Sequence, residues 1–546
     1  MLTQRDSQNR DEPGYPLIPV WTGEQIRAAE KPLLDAGEGE ALMRRASWGL
    51  AAHILQILQA QRGSVYGATV VGLIGSGNNG GDGLYALASL RRRGVDARAV
   101  LLRPTCHTQA LTAFCQAGGQ LQTTIDDGAD LILDAVVGTG FSGSFDAPSL
   151  PQDSVVVACD LPSGVDAETG AVRGTAIRAD HTVTFGGLKT GLLLGQGRAF
   201  SGVLHTVDIG LGAHLPEPAG YVMSELVDIP GTTGGAGITT QAGVDNLLRF
   251  RPRDTRRIDH SSGSGGAARN LAGEAVPVLR RRGPDADAHK YSRGVLHLLV
   301  GSPRYPGAAQ LSVGAALATG VGMAQVQAPD AVAQAVVNHW PETVASDQAE
   351  RAAAMVIGPG LGDDSQRLAQ AEALLQQSRR NAVPCVLDAS ALELITPELL
   401  ADAGYAGSLG KHTVLTPHTG EAQKLAERLG DLQLQDALAE QKVLAAAPRL
   451  AQLTGAVVVL KGPVTVIAAP GDEPPLLHTE PAPGLATAGT GDVLAGIIGA
   501  LLATQEESAR YCAALGVALH AAAARRLDPR GHGRFGASAL LGVLAD

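Results

Sequence analysis

Several stretches of this 546-residue chain carry polar groups that folding alone does not require. The first runs Gly75-Ser-Gly-Asn-Asn-Gly-Gly-Asp82-Gly83. Its glycines let backbone approach a ligand, and the helix it opens would turn bare N–H groups toward an anion. Gly75, Gly77 and Gly80 only superficially fit a dinucleotide fingerprint, and a glycine-rich turn can be purely structural. Asn78, Asn79 and Asp82 point further, because a plain turn has no need of two amides and a carboxylate side by side. Asp134-Ala-Val-Val-Gly-Thr-Gly140 and Asp160-Leu-Pro-Ser163-Gly-Val-Asp166 each close an apolar run with an acid. Capping of turns is the plain alternative for both acids. If the three loops line one pocket, their Asn, Asp and Ser oxygens suit a hard monovalent or divalent cation better than zinc.

A second constellation lies near the C-terminus, in Gly484-Leu-Ala-Thr-Ala-Gly-Thr-Gly-Asp492-Val-Leu-Ala-Gly496. The backbone N–H groups of Gly489, Thr490 and Gly491, at a helix start, would form an anion nest. An aspartate there would repel phosphate unless it acts as a base on a neighbouring hydroxyl. That is the logic of ribokinase-like kinases, where the loop cradles the transferred phosphoryl and the aspartate activates the acceptor. A glycine-rich helix entry with a first-turn acid is the structural alternative. Lys461-Gly462 with Thr465 would contact a nucleotide. Thr416-Pro-His418-Thr-Gly-Glu421 and Gly358-Pro-Gly360-Leu-Gly362 would line an acceptor pocket. His418 by itself reads first as a turn or capping residue.

Elements must hold these loops. ATVVGLIG (68–75), ARAVLL (97–102), DLILDAVV (130–137), SVVVACDL (154–161) and HTVTF (181–185) are short continuous apolar runs, which is how strands buried on both faces read. They alternate with helical segments, so the pattern predicts an α/β fold with a parallel, Rossmann-like doubly wound sheet and ligands at its C-terminal edge. Before them, Leu42, Ala46, Leu50, Ile54 and Leu58 recur every four residues and predict one apolar helix stripe. Residues 1–20 read as a loose tail. From 289 a second α/β unit begins, with strand candidates VLHLLVG (295–301), MAQVQA (323–328), AAMVIGPG (353–360), PCVLDAS (384–390), TVLTP (413–417), AVVVLKG (456–462) and TVIAAP (465–470). We divide the chain into a unit over 1–215, a partly mobile linker or insertion over 216–276, and a unit over 277–546. No motif register is shared, so the halves read as different domains.

Composition excludes other classes. With 45% hydrophobic and 18% charged residues the chain is globular, and 3% aromatics means cores built of Ala, Val, Leu and Ile. A net charge of −11 argues against bulk nucleic-acid binding. The RFRPRDTRR and VLRRRG pieces then read as solvated linker or as contacts with acidic surface. Five cysteines without a C-x-x-C argue against zinc ribbons and a disulfide framework. The polar N-terminus is no signal peptide, and VLAGIIGALLA (493–503) is too short to span a bilayer. A cytoplasmic location is expected, with no membrane or nucleic-acid partner. Ala-rich helices would pack well in a homo-oligomer.

The first 212 residues resemble the NAD(P)H-hydrate epimerases, on GSGNNGGDG, LDAVVGTGFSG, CDLPSGVDAETG and TFGGLKTGLLLGQGRAFSGVLHTVDIGL in order. The resemblance implies that Asn78, Asn79, Gly80, Gly81 and Asp82, with Gly138, Thr139, Gly140, Phe141, Ser142, Gly143 and Ser144, hold the hydrated nicotinamide nucleotide. It implies a potassium ion on Asn79, Asp134 and Ser163, Asp160 as the acid/base group beside the damaged ring, and Lys189 as a positioning residue. The segment from about 277 resembles the ADP- or ATP-dependent NAD(P)H-hydrate dehydratases, which have a ribokinase-like fold. HKYSRGVLHLLVGSPRYPGAAQLSVGAALATGVG, VIGPGLG, VLDASAL, VLTPHTGE, VVVLKGPVTVI and GLATAGTGDVLAG carry it. The implied hydrate contacts are Ala309, Gly360, His418 and Asp492. The implied nucleotide contacts are Lys461, Gly462, Pro463, Val464 and Thr465, with Gly489, Thr490 and Gly491. Asp492 would deprotonate the hydrate hydroxyl, and Mg2+ would accompany ADP or ATP. Where the family carries a Gly-Asn pair, this chain has Glu480-Pro-Ala-Pro-Gly484. The expected function is repair of both NAD(P)HX epimers. A ribokinase-like small-molecule kinase with an N-terminal ligand- or protein-binding domain is the rival.

Overall fold

The computed structural model describes residues 15–125, 127–141, 143–223, 268–269, 275–276, 278–284, 288–349, 351–402, 408–480 and 482–545. Ser142 and RFRPRDTRR lie outside them. The smaller of two large sheets has seven strands, all parallel. Their order is Gln120–Gln122, Asp96–Leu101, Thr69–Ile74, Leu131–Ala135, Val155–Cys159, His181–Phe185 and Val203–Val207. The chain enters at the centre, moves outward on one side, and returns to the other side at Leu131–Ala135. The crevice between Thr69–Ile74 and Leu131–Ala135 is therefore the topological switch point, where ligands of such sheets bind. Two apolar cores cover its faces. One includes the stripe Leu42, Ala46, Leu50, Ile54 and Leu58 of helix Gly39–Arg62, and the other is built on Val71, Leu73, Ile132 and Phe145.

The second sheet has thirteen strands. Its parallel stretch runs Val457–Leu460, Thr413–Leu415, Cys385–Leu387, Ala354–Ile357, Val295–Leu299, Met323–Gln327 and Val344–Ala345. Thr465–Ala468 and Leu476–His478 extend it antiparallel. Helices Pro306–Thr319 and Thr490–Thr504 pack together on one face. Small residues permit the approach: a Cβ on Gly496 would come within 2.3 Å of the Ser312 carbonyl. The long apolar run near 493–503 is thus a buried core helix, and among the described residues no helix is long and apolar enough to cross a membrane. The α/β reading holds for both units.

Two expectations need correction. Residues 15–21 are not loose tail: Tyr15–Trp21 is a strand of the large sheet, with Tyr15 and Val20 buried. Pro16 and Pro19 disguised it, because proline normally argues against an interior strand. Within the segment read as linker, Gly220–Met223 is a strand between Tyr15–Trp21 and Leu476–His478. Four residues are too few to show a period. The large sheet thus takes strands from both ends of the chain. The basic piece near 280 meets acidic surface, with Arg282 ion-paired to Glu507 at 2.9 Å.

Candidate functional site

At the switch point the first sheet gathers the polar loops. Gly75 follows strand Thr69–Ile74, and a Cβ there would lie 1.8 Å from the Val136 carbonyl, so only glycine fits. Helix Asn78–Arg91 then starts at Gly77 with no side-chain cap, leaving its first N–H groups to a ligand. Gly75→Ala should lower the chain's stability by about 1–3 kcal/mol through this clash and cripple the first site. Thermal denaturation together with assays of both sites checks it, the second site being expected to survive at low temperature.

Asp134 ends the neighbouring strand and is fully buried. Ser163 donates to it from Oγ at 2.5 Å and from its backbone N–H at 2.7 Å. Val137 bridges the cluster: its N–H donates to Ser163 Oγ at 3.1 Å, and its carbonyl accepts Asn79 Nδ2 at 3.0 Å. Burial outweighs these hydrogen bonds and pushes the Asp134 carboxyl up to about 6.

Asp160 follows strand Val155–Cys159 with φ of +68°, a left-handed conformation uncommon outside glycine. Its Oδ1 accepts Lys189 Nζ at 2.7 Å, Thr184 Oγ1 at 3.1 Å and the Phe185 N–H at 3.1 Å. Lys189 is buried and also donates to Thr184 Oγ1 and the Phe185 carbonyl, both at 2.9 Å. Two further carboxyls share this field. Asp82 is held well above its ordinary range by burial, then by Asp160 and Glu30. Glu30, on helix Gly23–Asp35, is raised by burial and Asp160. One turn earlier, Arg27 donates to the Thr139 carbonyl at 2.6 Å, so this helix lies against the 138–144 loop.

In the second sheet four adjacent parallel strands each end in a site residue. Ala354–Ile357 leads to Gly358 and Gly360, Cys385–Leu387 to Asp388, Thr413–Leu415 to Thr416 and His418, and Val457–Leu460 to Lys461. Asp388 Oδ1 accepts Thr416 Oγ1 at 2.6 Å and Lys461 Nζ at 3.0 Å. Burial pulls the Lys461 ammonium down, but Asp388, Glu421 and Asp492 outweigh it and leave it raised. Asp492 sits in the first turn of Thr490–Thr504, behind Gly489 with φ of +92°. Burial and the Asp388 charge push its carboxyl up to about 7 against the pull of Lys461. A Cβ on Gly491 would stand 3.4 Å from Lys461 Nζ, so the ammonium lies over the helix start. A cation, a bare helix N-terminus and a carboxyl titrating near neutrality therefore meet at one point.

A family profile described as YjeF-related protein N-terminus matches residues 39–191, and one described as NAD(P)H-hydrate dehydratase matches residues 296–539. The bifunctional NAD(P)H-hydrate repair enzyme Nnr of Mycobacterium tuberculosis (strain H37Rv) is 39% identical over 502 residues, covering 88% of each chain. The chain belongs to the bifunctional NAD(P)H-hydrate repair enzymes. The Escherichia coli K12 repair enzyme is 31% identical over 554 residues, covering 94% of this chain and 90% of that one. A solved structure of the ADP/ATP-dependent NAD(P)H-hydrate dehydratase of Bacillus subtilis, co-crystallised with ATP and Mg2+, has 30% identity and a TM-score of 0.40. It covers 48% of this chain and 91% of that one. Epimerase and dehydratase activities thus both belong to this repair enzyme.

The expected residues of the repair enzyme fall into two groups. Asn79, Asp134 and Ser163 form one hydrogen-bonded cluster, and Asp160 with Lys189 forms a buried ion pair. Gly77 and Gly140 face open space. His418 caps helix Thr419–Leu429, accepting the Gly420 and Glu421 N–H groups at Nδ1, while its ring stays exposed. Gly360, with φ of +69°, leaves no room for a Cβ beside Ala308. Ala309 is fully buried, backbone and methyl alike, as part of the core beneath the site. Val464 is likewise buried. Sequence reasoning missed Asp388, although it ends a strand as Asp134 does, and the same rule finds it. It also missed Glu30, which reaches the site from a helix far away in the chain and carries no local signal.

Proposed function

We propose that the first site epimerises R- and S-NAD(P)HX and that the second dehydrates S-NAD(P)HX, with ADP as the preferred donor over ATP. We keep the epimerase unit at 1–215 and the dehydratase unit at 277–546, in a cytoplasmic homo-oligomer acting on small molecules. Neither nucleic acid nor membrane is a partner in this reading.

In the first site the hydrate's phosphates lie on the bare start of Asn78–Arg91 and on the 138–144 loop. Epimerisation breaks the C6–O bond as the ring nitrogen supplies electrons, and the hydroxyl leaves as water after taking a proton. Water then adds to the other face and returns a proton. Asp160 stands beside the ring cation and moves the proton, in a field where burial and its own charge raise the neighbouring Asp82 and Glu30 carboxyls. Lys189, Thr184 and the Phe185 N–H fix Asp160 in place.

A potassium ion fits Asn79, Asp134 and Ser163, since all three offer oxygens and the buried Asp134 carboxylate is hydrogen-bonded by the neutral Ser163 and Val136 groups. When bound, the ion would supply positive charge that anchors the loops around the hydrate. A titration tests this. The folded Asp134 carboxyl holds its proton to about pH 6, whereas an unfolded aspartate releases it near ~4. The folded chain binds more protons between those values, so this group's contribution to stability falls as pH rises through the window. At neutral pH, K+ should therefore raise Tm more than choline does, less so near pH 5, and Asp134→Asn should remove the difference. A Tm indifferent to the cation at both pH values would dismiss the site.

In the second site, Asp492 takes the proton of the C6 hydroxyl while the nucleotide's terminal phosphoryl transfers to that oxygen. Phosphate then leaves with the electrons of the C6–O bond as the ring nitrogen supplies a pair, and loss of a proton from C5 to solvent forms the C5–C6 double bond that restores the dihydronicotinamide. Lys461 and the N–H groups of 489–491 balance the charge on the phosphoryl, and Mg2+ enters with the nucleotide. The observation that supports this reading most is the meeting of Asp492, Lys461 and the helix start, with Asp492 titrating near neutrality. Its test is the Asp492→Asn variant.

A further inference from the structure

One hydrogen bond crosses from the first unit to the turn that we read as nucleotide-binding in the second. Arg198, on the short helix Gly197–Phe200, donates from Nη1 to the Pro463 carbonyl at 3.1 Å. Pro463 lies between antiparallel strands Val457–Leu460 and Thr465–Ala468, in the turn opened by Lys461. Gly462 and Pro463 are the exposed tip of that turn. Thr465 Oγ1 reaches the Gly462 carbonyl only at 3.5 Å, so the Arg198 bond is the better anchor of the two.

Arg198 is half-buried and also faces the second loop of the nucleotide site. Burial pulls its guanidinium down, and the Glu480 carboxylate pushes back without restoring it. Glu480 is buried, ion-paired with Arg525 at 2.6 Å, and stands just before the glycine-rich run that leads to Asp492. Here the chain departs from the family's Gly-Asn pair. A side chain of the first unit thus bonds one nucleotide loop and lies in the field of the root of the other.

Its own support is rigid. The Gly197 N–H donates to the Gly170 carbonyl at 2.7 Å, and Ser201 Oγ returns to the Gly197 carbonyl at 2.7 Å. Leu192, Leu193 and Leu194 share one buried core with Leu460, Val464 and Val466. Tyr15–Trp21 of the first unit pairs with Gly220–Met223, which lies parallel beside Leu476–His478, so the first unit is tied to the second sheet.

We propose that Arg198 is a positioning residue for the adenine nucleotide: the epimerase unit holds the dehydratase's Lys461–Thr465 turn in its binding geometry. This rests on reading that turn as the nucleotide site. In the full chain, Arg198→Met keeps the packing of the stem and removes the donor, while Arg198→Lys keeps a donor. Loss of a charge-assisted bond to the turn should raise the nucleotide KM about tenfold in Arg198→Met. Its kcat should stay near wild type, and Arg198→Lys should fall between. The epimerisation rate of the same preparation reports that the chain is folded. Lys461→Met, which strips the turn's ammonium, should also raise the nucleotide KM. If it does so while Arg198→Met keeps the wild-type KM, the strut is refuted and the nucleotide site stands. If neither variant changes the KM, the nucleotide reading fails and takes the strut with it.

Discussion

Asp492→Asn should reduce nucleotide-dependent dehydration of S-NADHX by at least about a hundredfold, the scale of a lost general base. Epimerisation in the same protein should be unchanged, because the first site lies on a different sheet. The pH profile of the unmutated enzyme carries the same information. A base must be deprotonated to act, and burial with the Asp388 charge pushes the Asp492 carboxyl up to about 7. Dehydration at low substrate should therefore climb through that pH and level off above it. Lys461→Met removes the charge that pulls this carboxyl down, so it should move the climb to higher pH. A flat profile, or an Asp492→Asn enzyme that still dehydrates at full rate, would take the base role from Asp492.

Asp160→Asn should leave R-NADHX to its spontaneous epimerisation while S-NADHX is repaired at the normal rate. The loss has two sources, and they can be separated. Lys189 is buried against Asp160 Oδ1, so removing the carboxylate leaves an unpaired buried ammonium at a cost of about 3–5 kcal/mol. The double variant Asp160→Asn/Lys189→Met removes both charges and should recover much of the lost Tm. It should remain without epimerase activity, because a folded site still lacks the group beside the ring. Epimerisation by the double variant would show Asp160 to be structural only.

Much of both sites was legible because each rests on the same physical rule. A short apolar run followed by an acid or a glycine-rich turn marks the C-terminal edge of a parallel strand, and Asp134, Asp160 and Lys461 all lie there. The buried stripe of Leu42, Leu50 and Ile54 was equally plain from its period. What stayed hidden depends on long-range contacts. Tyr15–Trp21 carries two prolines and owes its place to strands from the middle of the chain. Gly220–Met223 and Leu476–His478 are too short to show alternation. Glu30 and Arg198 carry no motif, since what gives each a role is the loop that tertiary packing brings against it. His418 reads first as a cap in the sequence, and its Nδ1 caps a helix while its exposed Nε2 edge lies 3.6 Å from Glu421 Oε2.

The measurement that bears most directly on the central claim is recovery of NADH absorbance from a mixture of R- and S-NADHX. It is run with the full chain, K+ and Mg2+, and with ADP, ATP or no nucleotide. We predict complete recovery from both epimers, at the enzymatic rate, only when a nucleotide is present and fastest with ADP. Recovery that stops once the S epimer is consumed, with the rest returning at the spontaneous rate, would contradict the epimerase assignment of the first site. A stable phosphorylated product in place of NADH would contradict the dehydratase assignment of the second.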